Sequence, residues 1–262
     1  MFAEQVILVT GASSGIGAAL ARQLAAKQGR CVLVARRRDR LEALVAEIES
    51  AGRPRPVPLV ADLLEPGAPQ RVVEEVHSRL GPIDVLVNNA GVGFVGPFVK
   101  HSAPQLEQML GLNVGALVKL THLVLPGMIQ RRRGWIMNVA SAAAYQPMGN
   151  MATYAATKAF VLSFSEGLWA EVRRKGVTVT SVNPGTTRTE FFDHQGWSPM
   201  REKLLKGAMS ADRVAQIAIK ALAKGKPSVT CGLGNKLAVG LGQLLPRATV
   251  ARITAKMMKP VN

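Results

Sequence analysis

Short apolar runs alternate with segments of helix length along this 262-residue chain, and this alternation restricts its fold more than any other feature. The runs are rich in β-branched residues and stay continuously apolar. Such runs are typical of strands that are buried on both faces of a parallel sheet. They are QVILVT (5–10), CVLVA (31–35), VPLVA (57–61), IDVLV (83–87), GWIMNVA (134–140), VTVTSV (177–182) and SVTC (228–231). The sequence therefore predicts an α/β fold, a doubly wound parallel sheet of about seven strands with helices on both faces.

One domain over residues 1–262 is the expected organisation. With 48% hydrophobic residues the chain can bury a large core, and its Pro, Gly and Ser clusters, at 51–58 and 184–200, have the length of loops. The start runs directly into a strand pattern without the features of a signal peptide, which predicts a cytoplasmic protein. Cys31 and Cys231 lie in strand-like runs and are expected to be buried thiols. The Cys and His residues lack metal-ligand spacing, so no metal site is expected.

The first strand is followed by a glycine-rich turn, TGASSGIG (10–17), which leads into an amphipathic helix. Gly11, Gly15 and Gly17 would let the backbone pass close to a pyrophosphate, and the helix N-terminus would supply amide donors. The spacing is GxxxGxG and differs from the usual GxGxxG fingerprint. The position after a strand and before a helix favours a nucleotide site, although glycines can also simply end a strand.

The residues after the second strand indicate which nucleotide is bound. Sites for NAD place an acid here to hold the ribose, whereas an arginine accommodates the 2′-phosphate of NADP. This chain has Arg36 and Arg37, and its next acid, Asp39, resembles the N-cap of the following helix. We therefore expect NADP(H) in preference to NAD(H), with Arg36 as the first contact. A solvated basic turn is the alternative.

TYAATKAF (153–160) lies in a segment with helical spacing and places a phenol and an ammonium one turn apart. Tyr154 and Lys158 share a helix face, so both can point at one spot, where the ammonium favours the phenolate. The pair alone favours the other interpretation, a partly exposed tyrosine beside a solvated lysine.

Five motifs in order resemble the one-domain short-chain dehydrogenase/reductase family over roughly residues 5–230. They are TGASSGIG, NNAG (88–91), LNVGA (112–116), Ser141 thirteen residues before a YxxxK motif, and NPGTTRT (183–189). The resemblance implies a Rossmann-like fold and a nicotinamide-dependent oxidoreductase that interconverts a carbonyl and a secondary alcohol.

The resemblance also implies the catalytic roles. Tyr154 would be the general acid or base, Lys158 would lower its pKa, and Ser141 would hold the substrate oxygen. Asn113 would organise a helix bend and a proton-relaying water. A phenol with a pKa of about 10 must drop by roughly 3 units to act near neutrality.

The implied cofactor contacts lie at the ends of several strands, with Asp62 at the adenine and Thr189 at the carboxamide. Asn88 is expected at the end of the fourth strand, near the cofactor, and Thr10 is expected to be structural. The contacts are Gly11, Ser13, Ser14, Gly15, Ile16, Gly17, Arg36, Asp62, Leu63, Asn89, Ala90, Gly91, Tyr154, Lys158, Pro184, Gly185, Thr187 and Thr189.

A substrate loop is expected at about 186–209, and a C-terminal extension at about 233–262. Apolar residues that would surround the catalytic groups favour a hydrophobic substrate, such as a 3-oxoacyl compound or a hydroxysteroid-like ketone, although the same residues could instead hold the loop against the core. These residues are Tyr145, Met148, Phe191, Phe192, Trp197, Pro199 and Met200.

The chain carries a net charge of +16, and no Asp or Glu occurs from Arg213 onwards. Leu233, Leu237, Leu241, Leu244 and Leu245 recur at helical spacing among lysines and arginines. This segment could lie on a lipid surface, or it could cover the substrate loop or a neighbouring subunit. The alternative function is therefore a non-catalytic basic protein that binds a membrane surface or nucleic acid. No basic stripe is interleaved with aromatics, so nucleic acid is not an expected partner.

The segment 151–175 predicts self-assembly, because it is apolar on two faces. One face is a stripe of small residues and the other carries Val161, Phe164, Leu168 and Val172. One can cover the sheet and the other then needs a partner, so a homodimer or homotetramer is expected. The small residues are Ala152, Ala156, Ala159, Ser163, Gly167 and Ala170.

Overall fold

The computed structural model describes residues 1–193, 202 and 205–258. The strands are β1 (Val6–Thr10), β2 (Arg30–Ala35), β3 (Val57–Val60), β4 (Val85–Asn88), β5 (Gly134–Val139), β6 (Val177–Asn183), β7 (Thr187–Arg188), β8 (Met209–Ser210) and β9 (Ser228–Thr230). The helices are α1 (Gly15–Ala25), α2 (Arg38–Ser50), α3 (Ala68–Leu80), α4 (Ala103–Leu110), α5 (Leu117–Gln130), α6 (Ala152–Val172), α7 (Ala211–Ala223), α8 (Leu233–Leu244) and α9 (Arg247–Met257).

Seven strands form one parallel sheet in the order β3-β2-β1-β4-β5-β6-β9. All seven predicted runs are strands of this sheet, so the predicted Rossmann-like fold is confirmed. The sequence did not predict the small second sheet, in which β7 pairs with β8. The strand order reverses between β1 and β4, and a ligand crevice is expected at the carboxyl ends of the strands there.

Helices cover both faces of the sheet because each strand is apolar on both sides. In β1, Ile7 and Val9 face a cluster that includes α1, α2 and α7. Val6 and Leu8 face the opposite cluster, which includes α3, α5 and α6. These two apolar layers hold the ends of the strands in a fixed arrangement.

Helices α4 and α5 join through a π-helical turn at Gly111–Ala116. By length and mean hydropathy (1.4), Ala103–Gln130 is the one segment among the described residues that could cross a membrane. Thr121 in this segment accepts a hydrogen bond from Asn88 of β4, so the segment is packed against the sheet. The π-helical turn contains Asn113 and supports the predicted helix bend.

Two local predictions have different outcomes. Cys31 and Cys231 are buried and unpaired, as expected. Asp39 is not an N-cap: α2 begins at Arg38, the N-cap is Arg37, and Asp39 lies in the first turn. There its carboxylate is close to the positive end of the helix dipole, which explains the acid without a capping bond.

Helix α6 buries the apolar stripe that contains Val161, Leu168 and Val172, while Phe164 is half-buried. Its small-residue stripe is exposed except for the half-buried Ala159, and a Cβ added at Gly167 would meet no atom within 4 Å. The second face predicted to need a partner is therefore accessible on this chain.

Candidate active site

A cavity of about 880 Å³ lies at the carboxyl ends of β1, β4, β5 and β6. All but two of the predicted catalytic and cofactor residues line it. The exceptions, Gly17 and Asn113, lie behind the wall and shape it. The lining residues are Gly11, Ser13, Ser14, Gly15, Ile16, Arg36, Asp62, Leu63, Asn89, Ala90, Gly91, Ser141, Tyr154, Lys158, Pro184, Gly185, Thr187 and Thr189.

The glycine turn packs too closely for side chains. A Cβ at Gly17 would lie 2.2 Å from the carbonyl oxygen of Gly11 and 2.5 Å from Nδ2 of Asn89. Gly11 and Gly15 have positive φ angles of 64° and 55°. Helix α1 then begins at Gly15 without a side-chain cap from Ser14. Its first amides and the positive end of its dipole are therefore available to a pyrophosphate in the cavity.

Thr10 ties this turn to the end of β4. Its hydroxyl donates to the carbonyl of Val87 and accepts from the amides of Asn89 and Ala90. Its role is therefore structural, as expected. Asn88, in contrast, donates from the buried sheet to Thr121 and to Asn138, 2.9 Å away, and does not line the cavity.

Three arginines lie at the end of β2. Arg37 donates to the hydroxyls of Ser13 and Ser14 at 3.0 Å and to Glu190 at 2.8 Å. Arg40 donates to the same carboxylate at 3.1 Å. Arg36 lies 3.7 Å from Asp62. The sequence had indicated Arg36 and Arg37, but not Arg40 or Glu190.

Arg37 and Arg40 bind a carboxylate of the protein itself, that of Glu190. The hydrogen bond with Arg37 is the main cause that holds the pKa of Glu190 below its ordinary value. Glu190 is on the chain that follows β7, about 150 residues from Arg40 in the sequence. Because both residues line the cavity, the charged groups that favour a phosphate lie at its rim.

Ser141, Tyr154 and Lys158 meet at the other end of the cavity. Ser141 follows β5 and accepts a hydrogen bond from the amide of Ala143 at 3.1 Å. Its hydroxyl is hydrogen-bonded to the phenol of Tyr154. Lys158 donates to the carbonyl of Val139 at 2.9 Å, and its Nζ lies 5.8 Å from the centre of the Tyr154 ring. The predicted pair therefore faces one spot inside the fold and is not a solvated surface pair.

The protein groups shift the pKa of Tyr154 in the direction opposite to the expected one. Burial raises the pKa of its phenol to about 12, and the hydrogen bond with Ser141 opposes this only in part. Burial also lowers the pKa of Lys158 to about 8. Tyr154 is 8% exposed and Lys158 is 5% exposed, so desolvation outweighs the benefit of their proximity.

Asn113 supports this centre from behind. Its Oδ1 accepts from the amide of Val92 at 2.9 Å, and its Nδ2 donates to the carbonyl of Val92 and to Thr157. A Cβ at Gly91 would lie 3.0 Å from Oδ1 of Asn113 and 3.4 Å from Nζ of Lys158. Asn113 and Lys158 therefore approach the same small space, which glycine keeps open.

The end of the cavity that holds Tyr154 is also lined by apolar side chains. Met148 and Phe191 line it, and the ring of Phe191 lies 5.5 Å from that of Tyr154. Tyr145 is not part of this lining: its hydroxyl accepts from Asn183 at 3.1 Å, because the chain after β5 folds back over β6. Of the other predicted apolar residues, Phe192 also lines the cavity, and Trp197, Pro199 and Met200 lie outside the described residues.

The C-terminal helices complete this wall. Val239 of α8 and Met257 and Met258 at the end of α9 line the cavity. Thr254 of α9 donates to the carbonyl of Pro147 at 2.9 Å. The sequence indicated that the extension could cover the substrate region, but not which of its residues do so.

No group of three His, Cys, Asp or Glu side chains in the described part of the chain is placed to hold a metal ion.

Comparisons with known proteins agree with this geometry. The sequence model of the short chain dehydrogenase family matches residues 5–197. A short chain dehydrogenase of Pseudocercospora fijiensis is 38% identical over 75% of this chain and 66% of its own length. The very-long-chain 3-oxoacyl-CoA reductase of Anas platyrhynchos is 36% identical over 70% of this chain and 60% of its own length. The match thus spans less than two thirds of either relative.

Among solved structures, a short-chain dehydrogenase from Sphingobium yanoikuyae in complex with NADPH superposes with a TM-score of 0.80. It is 32% identical, and the alignment covers 93% of this chain and 97% of the other.

Proposed function

The chain belongs to the short-chain dehydrogenase/reductase family, and from this premise we propose that it is an NADP(H)-dependent oxidoreductase. It interconverts a carbonyl and a secondary alcohol on a hydrophobic substrate. The observation that carries this proposal is the meeting of Ser141, Tyr154 and Lys158 at one end of a cavity whose other end is a phosphate-type glycine turn.

The residues of the cavity fit a nicotinamide dinucleotide. An added Cβ at Gly11, Gly15 or Gly17 would meet another protein atom at 2.9 Å or less, so the turn keeps bare backbone at these positions, as close approach to a pyrophosphate requires. When bound, the cofactor supplies or accepts the hydride at the reacting carbon.

Tyr154 and Ser141 handle the substrate oxygen. Because the amide of Ala143 already donates to Ser141, the Ser141 hydroxyl is free to donate onward, to Tyr154 or to a carbonyl oxygen. A phenol with a pKa of about 12 stays protonated at neutral pH and can hand its proton to the developing alkoxide. The protein groups alone thus keep Tyr154 in the protonated form, which is the form that reduction of a carbonyl needs.

Lys158 lies behind the phenol as the nearby source of positive charge. Its pKa of about 8 keeps most of it charged at neutral pH, so it favours any negative charge on Tyr154. The non-catalytic alternative is not favoured, because binding alone would not require this complete acid–base set.

NADP(H) is the preferred cofactor in this proposal, because Arg36, Arg37 and Arg40 gather where the 2′-phosphate would lie. Arg37 and Arg40 already bind the carboxylate of Glu190, which indicates an environment that favours anions. The similar structure from Sphingobium yanoikuyae contains NADPH and lends support.

The substrate class follows from the apolar end of the cavity, where Met148, Phe191, Phe192, Met257 and Met258 surround the catalytic groups. Such a lining suits a carbonyl compound with a long apolar portion, such as a 3-oxoacyl or hydroxysteroid-like ketone. The 3-oxoacyl-CoA reductase among the similar proteins supports the first of these.

Turnover of NADPH with a panel of ketones of graded chain length and ring count tests the reaction. Tyr154→Phe should lower turnover at least 10²-fold, the usual scale of acid–base catalysis, while NADPH still binds. Tyr145→Phe is the matched control, because it removes the other phenol, which lies outside the cavity lining. Equal turnover of Tyr154→Phe and wild type would remove Tyr154 from the mechanism.

Titration with NADPH and NADH tests the cofactor. Arg36→Asp should weaken the binding of NADPH far more than that of NADH, because a charge-assisted contact with the 2′-phosphate becomes a repulsion. Arg38→Asp makes the same charge change at a residue that does not line the cavity, and it should leave the ratio of the NADPH and NADH dissociation constants unchanged. A wild-type preference for NADH would overturn the assignment.

A further inference from the structure

Helix α8 presents a row of leucines to solvent. The exposed fractions of Leu233, Leu237, Leu241 and Leu244 are 78%, 67%, 64% and 81%. At 3.6 residues per turn they fall within about a quarter of the helix circumference. This surface, called the leucine face below, is an exposed apolar stripe on a helix that otherwise touches the cavity.

The opposite side of α8 is fixed to the protein. Asn235 donates to the carbonyl of Cys231 at 2.7 Å, and Val239 lines the cavity. Gly242 approaches the side chain of Gln146. The leucine face is therefore turned outward by contacts on the other side of the helix.

The charge around the leucine face has one sign. No Asp or Glu occurs from Arg213 to the C-terminus, and the same segment carries nine lysines and arginines. Lys236 on α8 is exposed, as are Arg252 and Lys256 on α9. Ile253 and Met257 of α9 add exposed apolar surface, at 45% and 70%.

A second copy of the chain is a poor occupant for this surface. Contact between two leucine faces would bring two acid-free, cationic segments together, and neither offers a carboxylate to the other. An anionic bilayer instead provides hydrocarbon for the leucines and phosphate groups for the cations.

We propose that α8 docks through its leucine face onto an anionic lipid surface, with α9 next to it. The docking does not depend on the reaction.

Vesicle co-sedimentation of the full chain tests the proposal. The protein should bind vesicles of phosphatidylglycerol and phosphatidylcholine, bind pure phosphatidylcholine much less, and lose binding as salt is raised. Leu237→Ala combined with Leu241→Ala should weaken binding at least about tenfold, because two large apolar side chains no longer enter the bilayer. Both leucines are exposed and outside the cavity lining, and an unchanged thermal unfolding midpoint would confirm that the variant folds.

A charge-matched pair separates the leucine face from net charge. Leu237→Glu places one negative charge on the face, whereas Gln243→Glu places one on the same helix beside it. We expect Leu237→Glu to lose most of its vesicle binding and Gln243→Glu to bind vesicles almost normally. Equal loss in both, retained binding of the double alanine variant, or no binding to anionic vesicles at low salt would overturn it. Self-association that the alanine variant loses, without vesicle binding, would assign the face to a second copy instead.

Discussion

Replacing the buried lysine should stabilise the protein near neutral pH. Lys158 is 5% exposed, and burial lowers its pKa from 10.5 to about 8. For a base whose folded-state pKa is depressed, the unfolded chain holds the proton more tightly. The charged lysine therefore destabilises the fold below about pH 8, and the penalty fades as pH rises from the folded-state to the unfolded-state pKa.

The size of this penalty follows from the shift. About 2.5 pKa units correspond to about 3 kcal/mol at pH 7. Lys158→Met removes the charge and keeps the length, but it leaves the carbonyl of Val139 without its 2.9 Å partner, which costs about 1–2 kcal/mol. The net gain in the free energy of unfolding is about 1–2 kcal/mol, or a rise of about 2–8 °C in Tm.

Urea unfolding of wild type and Lys158→Met, without added cofactor, measures the difference in the free energy of unfolding near pH 7 and again near pH 9.5. The advantage of the variant should shrink by about 2 kcal/mol over this range. Cys31, Cys231 and Tyr154 also shift the alkaline stability, but they are present in both proteins and cancel in the difference. Lys27→Met, at an exposed lysine, should show neither effect. A variant that is less stable than wild type near pH 7, with an unchanged pH dependence, would refute the reasoning.

Two further substitutions test the turn and the assembly. Gly17→Ala places a Cβ 2.2 Å from the carbonyl oxygen of Gly11. It should therefore lower the free energy of unfolding by about 1–3 kcal/mol and weaken NADPH binding in calorimetric titration. Gly240→Ala, whose Cβ would meet nothing within 4 Å, should change neither quantity in this way. Gly167→Arg adds a large cation to the exposed small-residue face of α6, so it should convert a dimer to monomers in sedimentation velocity without loss of fold; a wild type that is monomeric at micromolar concentration would contradict the assembly.

The strands were predictable because a strand that is buried on both faces is apolar at nearly every position, which makes it visible in the sequence as a continuous apolar run. β1, for example, is buried over its whole length. Spacing predicted that Tyr154 and Lys158 share a face because both lie on α6, one turn apart. The catalytic roles of these residues, of Ser141 and of Asn113 came from the family resemblance and stay a prediction.

Contacts between distant segments were not predictable. Nothing near Arg37 in the sequence indicates that Glu190 lies 2.8 Å away, because the fold alone brings the two together. The direction of the pKa shift at Tyr154 was missed for a similar reason, since spacing predicts the neighbour but not how deeply the pair is buried. Likewise, periodicity places the leucines of α8 on one face without indicating whether that face meets the core or solvent.

Transfer of deuterium tests the central claim most directly. NADPH labelled with deuterium at the transferred position of the nicotinamide is incubated with the enzyme and a hydrophobic ketone, and the alcohol is analysed by mass spectrometry. We expect one deuterium at the carbinol carbon for wild type and for Tyr145→Phe, and almost none for Tyr154→Phe in the same time. Unlabelled alcohol from wild type, or equal labelling by Tyr154→Phe, would contradict it.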